Sequence, residues 1–424
     1  MVCEFSNIPA HWCVKKMPEV AKWGSGGTPK ATERAYYENG TIPWLIIGDL
    51  NDGVVTETAT KITKLGLENS SAKMIPAGTL LVAMYGSIGK LGITGVECCT
   101  NQAIAYVKQL HGVSTKFMFY YMVLIKPELI SMGKGGTQKN ISQTVLNSLL
   151  IPVPPMEEQN RIVTRIEELF SELDNGVETL RKTKQQLAVY RQAVLKQAFE
   201  GAFTEHKPCK IELDWASQEE ISILPEIPTE WRYVALSKLG DLGRGKSKHR
   251  PRNDTILFEN GKYPFIQTGD VKAARRYITE YSKMYGEFGL RQSKLWPKGT
   301  LCITIAANIA ETAFLGIDAC FPDSVVGFTP FEYILPEYVK YFIESQKIRL
   351  WAFAPATAQK NINLDTLENL IIPYCSLGEQ REVISEIETR MTICDNIEKT
   401  VDTALQQAEA MRQSILKQAF EGRL

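Results

Sequence analysis

Met156-Glu-Glu158-Gln159 opens a stretch that runs through Ile166, Leu173, Leu180, Leu187 and Val194 and closes on Arg191-Gln192-Ala-Val-Leu-Lys-Gln-Ala-Phe-Glu-Gly201. Apolar residues at strict intervals of seven mark one seam of a long helix that lies along another helix. The same chain encodes that partner. From Leu377 to Gly422 the pattern returns as Glu379-Gln380, Ile387, Cys394, Val401, Ala408 and Ile415, ending on Arg412-Gln413-Ser-Ile-Leu-Lys-Gln-Ala-Phe-Glu-Gly422. Each element stands 221 positions after its twin, and Leu149–Phe203 and Leu370–Leu424 align without a gap at 21 identities in 55 positions. Gly176 and Thr183 fall on the neighbouring line of the first helix, which predicts imperfect pairing there.

The segments between the helices are copies too. Asn39-Gly40, Pro43, Gly48-Asp49, Gly78-Thr79-Leu80 and Gln138-Lys139-Asn140-Ile141 recur at the same offset as Asn260-Gly261, Pro264, Gly269-Asp270, Gly299-Thr300-Leu301 and Gln359-Lys360-Asn361-Ile362. The whole chain is therefore a tandem duplication of body and helix. Apolar runs bounded by glycine, such as Gly78–Met84, predict buried strands, and Phe117–Ile125 and Tyr338–Leu350 have helical spacing. Short helices are predicted to begin at Asn140 and Asn361. The expected fold is α+β: two pseudo-symmetric mixed α/β bodies, separated by two long antiparallel helices that form a coiled coil. Residues 1–155 and 224–373 are read as the bodies, 156–203 and 374–424 as the helices, and 204–223, with Pro208, as the linker.

The chain has 424 residues, 48 basic and 48 acidic side chains and 44% hydrophobic content, enough for more than one core. The bodies are mildly basic and the helix segments acidic, which suits bodies that meet a polyanion. Nine cysteines without a CxxC pair argue against a zinc site or a disulfide framework. No leader-like start or bilayer-length apolar run is evident, so a soluble, cytoplasmic protein is expected.

The order body, helix, body, helix, with Ile151-Pro-Val-Pro-Pro-Met-Glu-Glu-Gln159 entering the first helix and Leu-Lys-Gln-Ala-Phe-Glu-Gly closing both, resembles the specificity subunit of type I restriction-modification enzymes. The resemblance covers the whole chain. It implies that the bodies are target recognition domains, each reading one half of a gapped double-stranded DNA site. It also implies two methyltransferase subunits as partners, with restriction subunits able to join. Carried over by position, the methyltransferase-binding surface includes Glu158, Gln159, Glu379 and Gln380. No cofactor is expected in this chain, and S-adenosylmethionine is expected on the methyltransferase subunits.

Most DNA-contacting candidates lie where the copies diverge, while Gln138-Lys139 and Gln359-Lys360 recur in both. In the first body they are Lys30, Arg34, Tyr85, Ser87, Lys90, Lys134, Gln138 and Lys139. In the second they are Arg244, Lys246, Lys248, Arg250, Arg252, Lys272, Arg275, Arg276, Gln359 and Lys360. Dense positive charge on a loop suits phosphate contact, although a solvated basic loop has the same composition. The helix-pair seam is assigned to Ile166, Leu173, Leu180, Leu187, Val194, Ile387, Val401 and Ile415. Gly240–Ser247 satisfies P-loop spacing, but Lys248-His249-Arg250-Pro251-Arg252 follows where a helix would have to start, with Pro251 and dense positive charge against it. An adenine methyltransferase needs Asn/Asp-Pro-Pro-aromatic, whereas Pro154-Pro155 precedes Met156. No catalytic residue and no metal ligand is therefore assigned. A scaffold whose paired helices space two ligand-binding bodies is the alternative reading.

Overall fold

The computed structural model describes residues 8–134, 140–205, 224–353 and 361–424; Gln138, Lys139, Gln359 and Lys360 lie outside these. The chain divides into two units. One runs up to Arg181 and includes Asp402–Leu424, and the other is Lys182–Val401.

In the first unit a five-stranded sheet has the order Ala21–Ser25, Ile104–Leu110, Leu80–Ala83, Leu91–Thr94, Gly53–Val55, with only the last pair parallel. Leu80–Ala83 is buried throughout, as a continuous apolar run flanked by glycine predicts. A three-stranded sheet, Thr60–Ile62, Ile42–Leu45 and Cys99–Thr100, stands beside it. The second unit repeats the larger sheet as Gly240–Arg244, Val325–Pro330, Leu301–Thr304, Thr312–Leu315 and Tyr277–Ile278. Gly240–Arg244 is thus an edge strand, and the P-loop reading has neither the buried central strand nor the following helix it requires.

Two sequence expectations shift. The helices placed at Asn140 and Asn361 begin two or three residues later, as Gln143–Ser148 and Leu364–Glu368, capped by Ser142 and Asn363. Asn363 Oδ1 accepts a hydrogen bond from Thr366 N, whereas Asn140 is used in a backbone bridge to Tyr85 and to Lys134. Tyr338–Leu350 is two helices, Pro336–Ser345 and Lys347–Phe353, broken at Gln346.

The long helices are Met156–Phe199 and Leu377–Phe420, each of 44 residues, or about 66 Å at 1.5 Å per residue. Within the first unit Ile166, Leu169, Phe170 and Leu173 share one core with Ile415, Leu416, Ala419 and Phe420. Within the second, Val194, Leu195, Ala198 and Phe199 share a core with Val383, Ile384 and Ile387. Arg191 pairs with Asp395 and Lys184 with Glu398, so the two segments run antiparallel. Leu187 and Val401 are buried and Leu180 half-buried. The second apolar line passes through Val177; Gly176 is exposed, because the half-buried positions alternate steps of four and three from Leu173 to Leu180.

Each closing heptapeptide therefore belongs to the core of the body from the other half of the sequence. Phe420 meets the rings of Phe117 and Tyr121 in the first body, at centroid distances of 4.8 and 5.3 Å. Phe199 meets Tyr338 and Phe342 in the second, at 5.0 and 5.1 Å. The heptapeptide is the same in both helices because the two receiving pockets are copies.

Of the residues expected at a subunit interface, Glu158 is half-buried, its side chain 20% exposed, whereas Gln159, Glu379 and Gln380 are packed inside. Gln159, Glu379 and Gln380 are fully buried, so no partner can reach them. Gln380 donates to the carbonyls of Tyr333 and Cys375 and accepts from Leu335 N; Gln159 does the same with Gly112, Pro154 and Ser114. Trp231 Nε1 donates to Glu379 at 2.8 Å, and Trp12 Nε1 to Glu158 at 3.1 Å. Burial alone would raise the pKa of Glu158, but bonds from His11 and Trp12 hold it below the ordinary value. The Glu-Gln pair fastens each long helix to the body that precedes it.

Candidate nucleic-acid interface

The sheet register decides where the divergent loops go. In the first unit Ala21–Ser25 and Leu80–Ala83 finish at the end where Ile104–Leu110 and Leu91–Thr94 begin, since Ser25 pairs with Ala105, Ala83 with Ile104 and Val82 with Leu91. The loops holding Lys30 and Tyr85–Lys90 therefore emerge together. Ile141 N donates to Met84 O, and the bridge at Asn140 sets Lys134 beside Tyr85. Lys90 Nζ lies 3.4 Å from the carbonyls of Ile47 and Gly48. Lys30, Tyr85, Ser87 and Lys134 are exposed. Arg34 is exposed on a separate turn, Arg34–Tyr36, whose Tyr36 carbonyl accepts from Thr63 N beside the smaller sheet.

The equivalent end of the second unit is more cationic. Arg244 pairs with Val326, Thr304 with Val325 and Ile303 with Thr312, so the loops starting at Gly245 and Ile305 share one end. Gly245 leaves that end with no room for a side chain, because the carbonyls of Phe321 and Pro322 occupy the space a Cβ would take. Beyond it, Lys246, Lys248, Arg250 and Arg252 are exposed. Lys272 approaches Asn308 at 3.5 Å, which brings the 268–276 segment to the same end. Arg275 is exposed there as well.

One residue holds this cluster in shape and was not found from sequence. The Asp323 carbonyl accepts from Arg244 Nε and Nη2 at 3.0 and 2.7 Å, and its carboxylate accepts from Arg252 Nη2 at 2.9 and 2.8 Å. Pairing across 71 to 79 positions leaves no local signal. Arg250 is tied back to the carbonyl of His249 at 2.9 Å. Among the described residues Lys246 and Lys248 have no such tether to an acidic group.

Arg276 corrects the expectation for its cluster. Its guanidinium turns away from Lys272 and Arg275 and bridges Glu337 at 3.1 Å and Glu388 of the second long helix at 3.0 Å. Burial opposes the charge, yet the two carboxylates raise the arginine's pKa above its ordinary value. The first unit explains the arrangement. Glu337 and Glu388 correspond to Lys116 and Glu167, which pair directly at 2.8 Å. With glutamate in place of lysine, two like charges would face each other, and Arg276 lies between them. Arg276→Ala is therefore expected to destabilise the second unit by about 1 kcal/mol, as suits a half-exposed pair. Adding Glu337→Lys should restore the melting temperature by rebuilding the pair of the first unit; a double variant no more stable than the single one would refute the bridge.

Among the described residues no three His, Cys, Asp or Glu side chains are placed to hold a metal ion. Burial pushes the Cys98 and Cys99 thiols up to about 12, so neither is a ready nucleophile.

Matching cationic loop ends on two copies of one body define a tandem recognition protein. The model of the type I restriction modification DNA specificity domain matches residues 9–187 and again 228–407. The chain belongs to this family and is a DNA-sequence specificity subunit of the type I restriction-modification class. It is 26% identical over 396 residues to the EcoBI specificity subunit of Escherichia coli, covering 88% of this chain and 80% of that one. The EcoR124I/EcoR124II specificity subunit of Escherichia coli is 30% identical over 179 residues, covering 41% and 44%. A chain from a structural study of complex assembly and conformational transition in a type I restriction-modification system shares the fold at TM-score 0.76 and 18% identity, covering 98% of this chain and 99% of that one. The HsdS subunit of Thermoanaerobacter tengcongensis shares it at TM-score 0.55 and 17% identity, covering 98% of each.

Proposed function

We propose that this chain reads a two-part, gapped site in double-stranded DNA, one half with the loop end of each body, and that it specifies the site without itself methylating or cleaving it. The observation that carries the reading is the pairing of like frameworks with unlike loops. Tyr85-Gly-Ser-Ile-Gly-Lys90 of one body stands where Ala306-Ala-Asn-Ile-Ala-Glu311 stands in the other, Tyr85 and Ala306 making equivalent bridges to Asn140 and Asn361, so one geometry presents two different surfaces. Methyl transfer then falls to two methyltransferase subunits that hold S-adenosylmethionine, and restriction subunits can join them. With Gln159, Glu379 and Gln380 buried, the docking face on the helices is better assigned to exposed apolar side chains such as Val189, Tyr190, Ile393 and Ile397. No helix among the described residues is long and apolar enough to cross a membrane, in keeping with work on DNA in the cytoplasm.

The test is salt-dependent binding. A protein that neutralises several phosphates must lose about 10³ or more in affinity between about 50 and 200 mM salt. Binding of duplex DNA by the purified chain should fall steeply over that range. A flat dependence would favour a scaffold that has no business with nucleic acid.

A further inference from the structure

The second body carries a cleft of about 270 Å³ at its cationic end, between the loop leaving Gly240–Arg244 and the segment that follows Tyr263–Phe265. Its floor is Phe265 and Pro322, and its walls are the hydroxyls of Ser247, Thr268 and Ser324, the amides of Asn253 and Gln267, and the cations Arg252 and Lys283. We propose that this cleft seats a phosphodiester of the DNA backbone and so fixes the register of the second body on the duplex. The proposal rests on the reading of the chain as a DNA specificity subunit.

The lining decides for backbone over base. Two cations, three hydroxyls and two amides, with no carboxylate among the lining residues, are the groups that contact phosphate and sugar oxygens. A concave wall fits the projecting backbone ridge, whereas base edges in the major groove lie recessed and are met by side chains that project from a helix or ribbon. Arg252 is held by the Asp323 carboxylate, and Lys283 rests over the Phe258 ring with its Nζ 5.4 Å from the centroid. Both side chains are thus positioned before any ligand arrives, so little side-chain freedom is lost on binding; Asp323 offsets the Arg252 charge, and Lys283 supplies the positive charge of the cleft.

Among the described residues of the first body, three of the corresponding positions carry other groups. Phe265 pairs with Lys283 and Cys320 as Trp44 pairs with Thr60 and Cys99, so Lys283 corresponds to Thr60, Gln267 to Ile46 and Thr268 to Ile47. A cation, an amide and a hydroxyl are replaced by a neutral side chain and two isoleucines. The anchor on the backbone is therefore assigned to the second body.

The experiment compares the full-length chain with Lys283→Gln and Lys283→Arg, titrating salt against a duplex carrying the recognised site and a scrambled duplex. Lys283→Gln should weaken both duplexes by the same factor and reduce the slope of log affinity against log salt by about 0.9, the share of one phosphate contact. Lys283→Arg should restore the slope, which separates lost charge from lost folding. An unchanged slope in Lys283→Gln, or a loss confined to the cognate duplex, would overturn the proposal while leaving DNA recognition intact. Absence of DNA binding by the unaltered chain would sink both. A second arm measures acylation of Lys283: the duplex should protect it and inorganic phosphate alone should not. Protection by inorganic phosphate at the same concentration of phosphate groups would reassign the cleft to a free anion.

Discussion

Phe420→Ala is expected to loosen the first body, not the second, although Phe420 is among the last residues of the chain. Its ring is 2% exposed and lies against Phe117 and Tyr121, and truncating a buried phenylalanine costs about 3–5 kcal/mol. Amide hydrogen exchange should therefore accelerate in Thr115–Leu124 and stay unchanged in Pro336–Ser345. Phe199→Ala should do the reverse, because that ring packs on Tyr338 and Phe342. If each substitution instead weakened the body that precedes its helix in sequence, the exchange of helix ends would be wrong.

The second large effect concerns specificity. Exchanging residues 224–369 for the matching segment of a relative is expected to replace one half of the recognised site and leave the other half as it was. The segment holds a five-stranded and a four-stranded sheet, and its entry strand, Arg232–Ala235, pairs with Ile371–Tyr374, which begins just after residue 369. The graft thus enters and leaves at one place. Mapping methylated adenines after the exchange reads the result. Alteration of both halves would mean that the bodies do not read independently.

The duplication, the long helices and the pairing seam are legible in the sequence because period and offset are local signals. Ile166, Leu187, Val194, Ile387 and Val401 repeat at sevens whatever the helix lies against. The crossing of the helix ends is not legible for the same reason. Leu195–Phe199 and Leu416–Phe420 are identical, so either could fill either pocket, and only the cores show which does.

The Glu-Gln pairs mislead in a similar way. Glu379 and Gln380 look polar and available at the start of a helix, yet the carbonyls and N–H groups of the turn beneath them need partners, and Gln380 supplies three bonds there. Charge reading fails at Arg276 because neighbours in sequence alternate direction as a strand begins. Arg275 and Arg276 immediately precede Tyr277–Ile278, and one is exposed while the other turns to Glu388. Lys30, Lys90 and Lys134 in the first body, and Lys246, Lys248 and Lys272 in the second, come to one end of each sheet because glycine-marked strands end where the divergent loops start, which could be read from sequence only after the sheet order was known.

Genome-wide mapping of methylated adenines, in otherwise identical cells with and without this chain, tests the central claim most directly. The account expects a two-part motif with an unread gap to be methylated only when the chain is present. An identical methylation pattern in both, with the partner methyltransferase active, would contradict it.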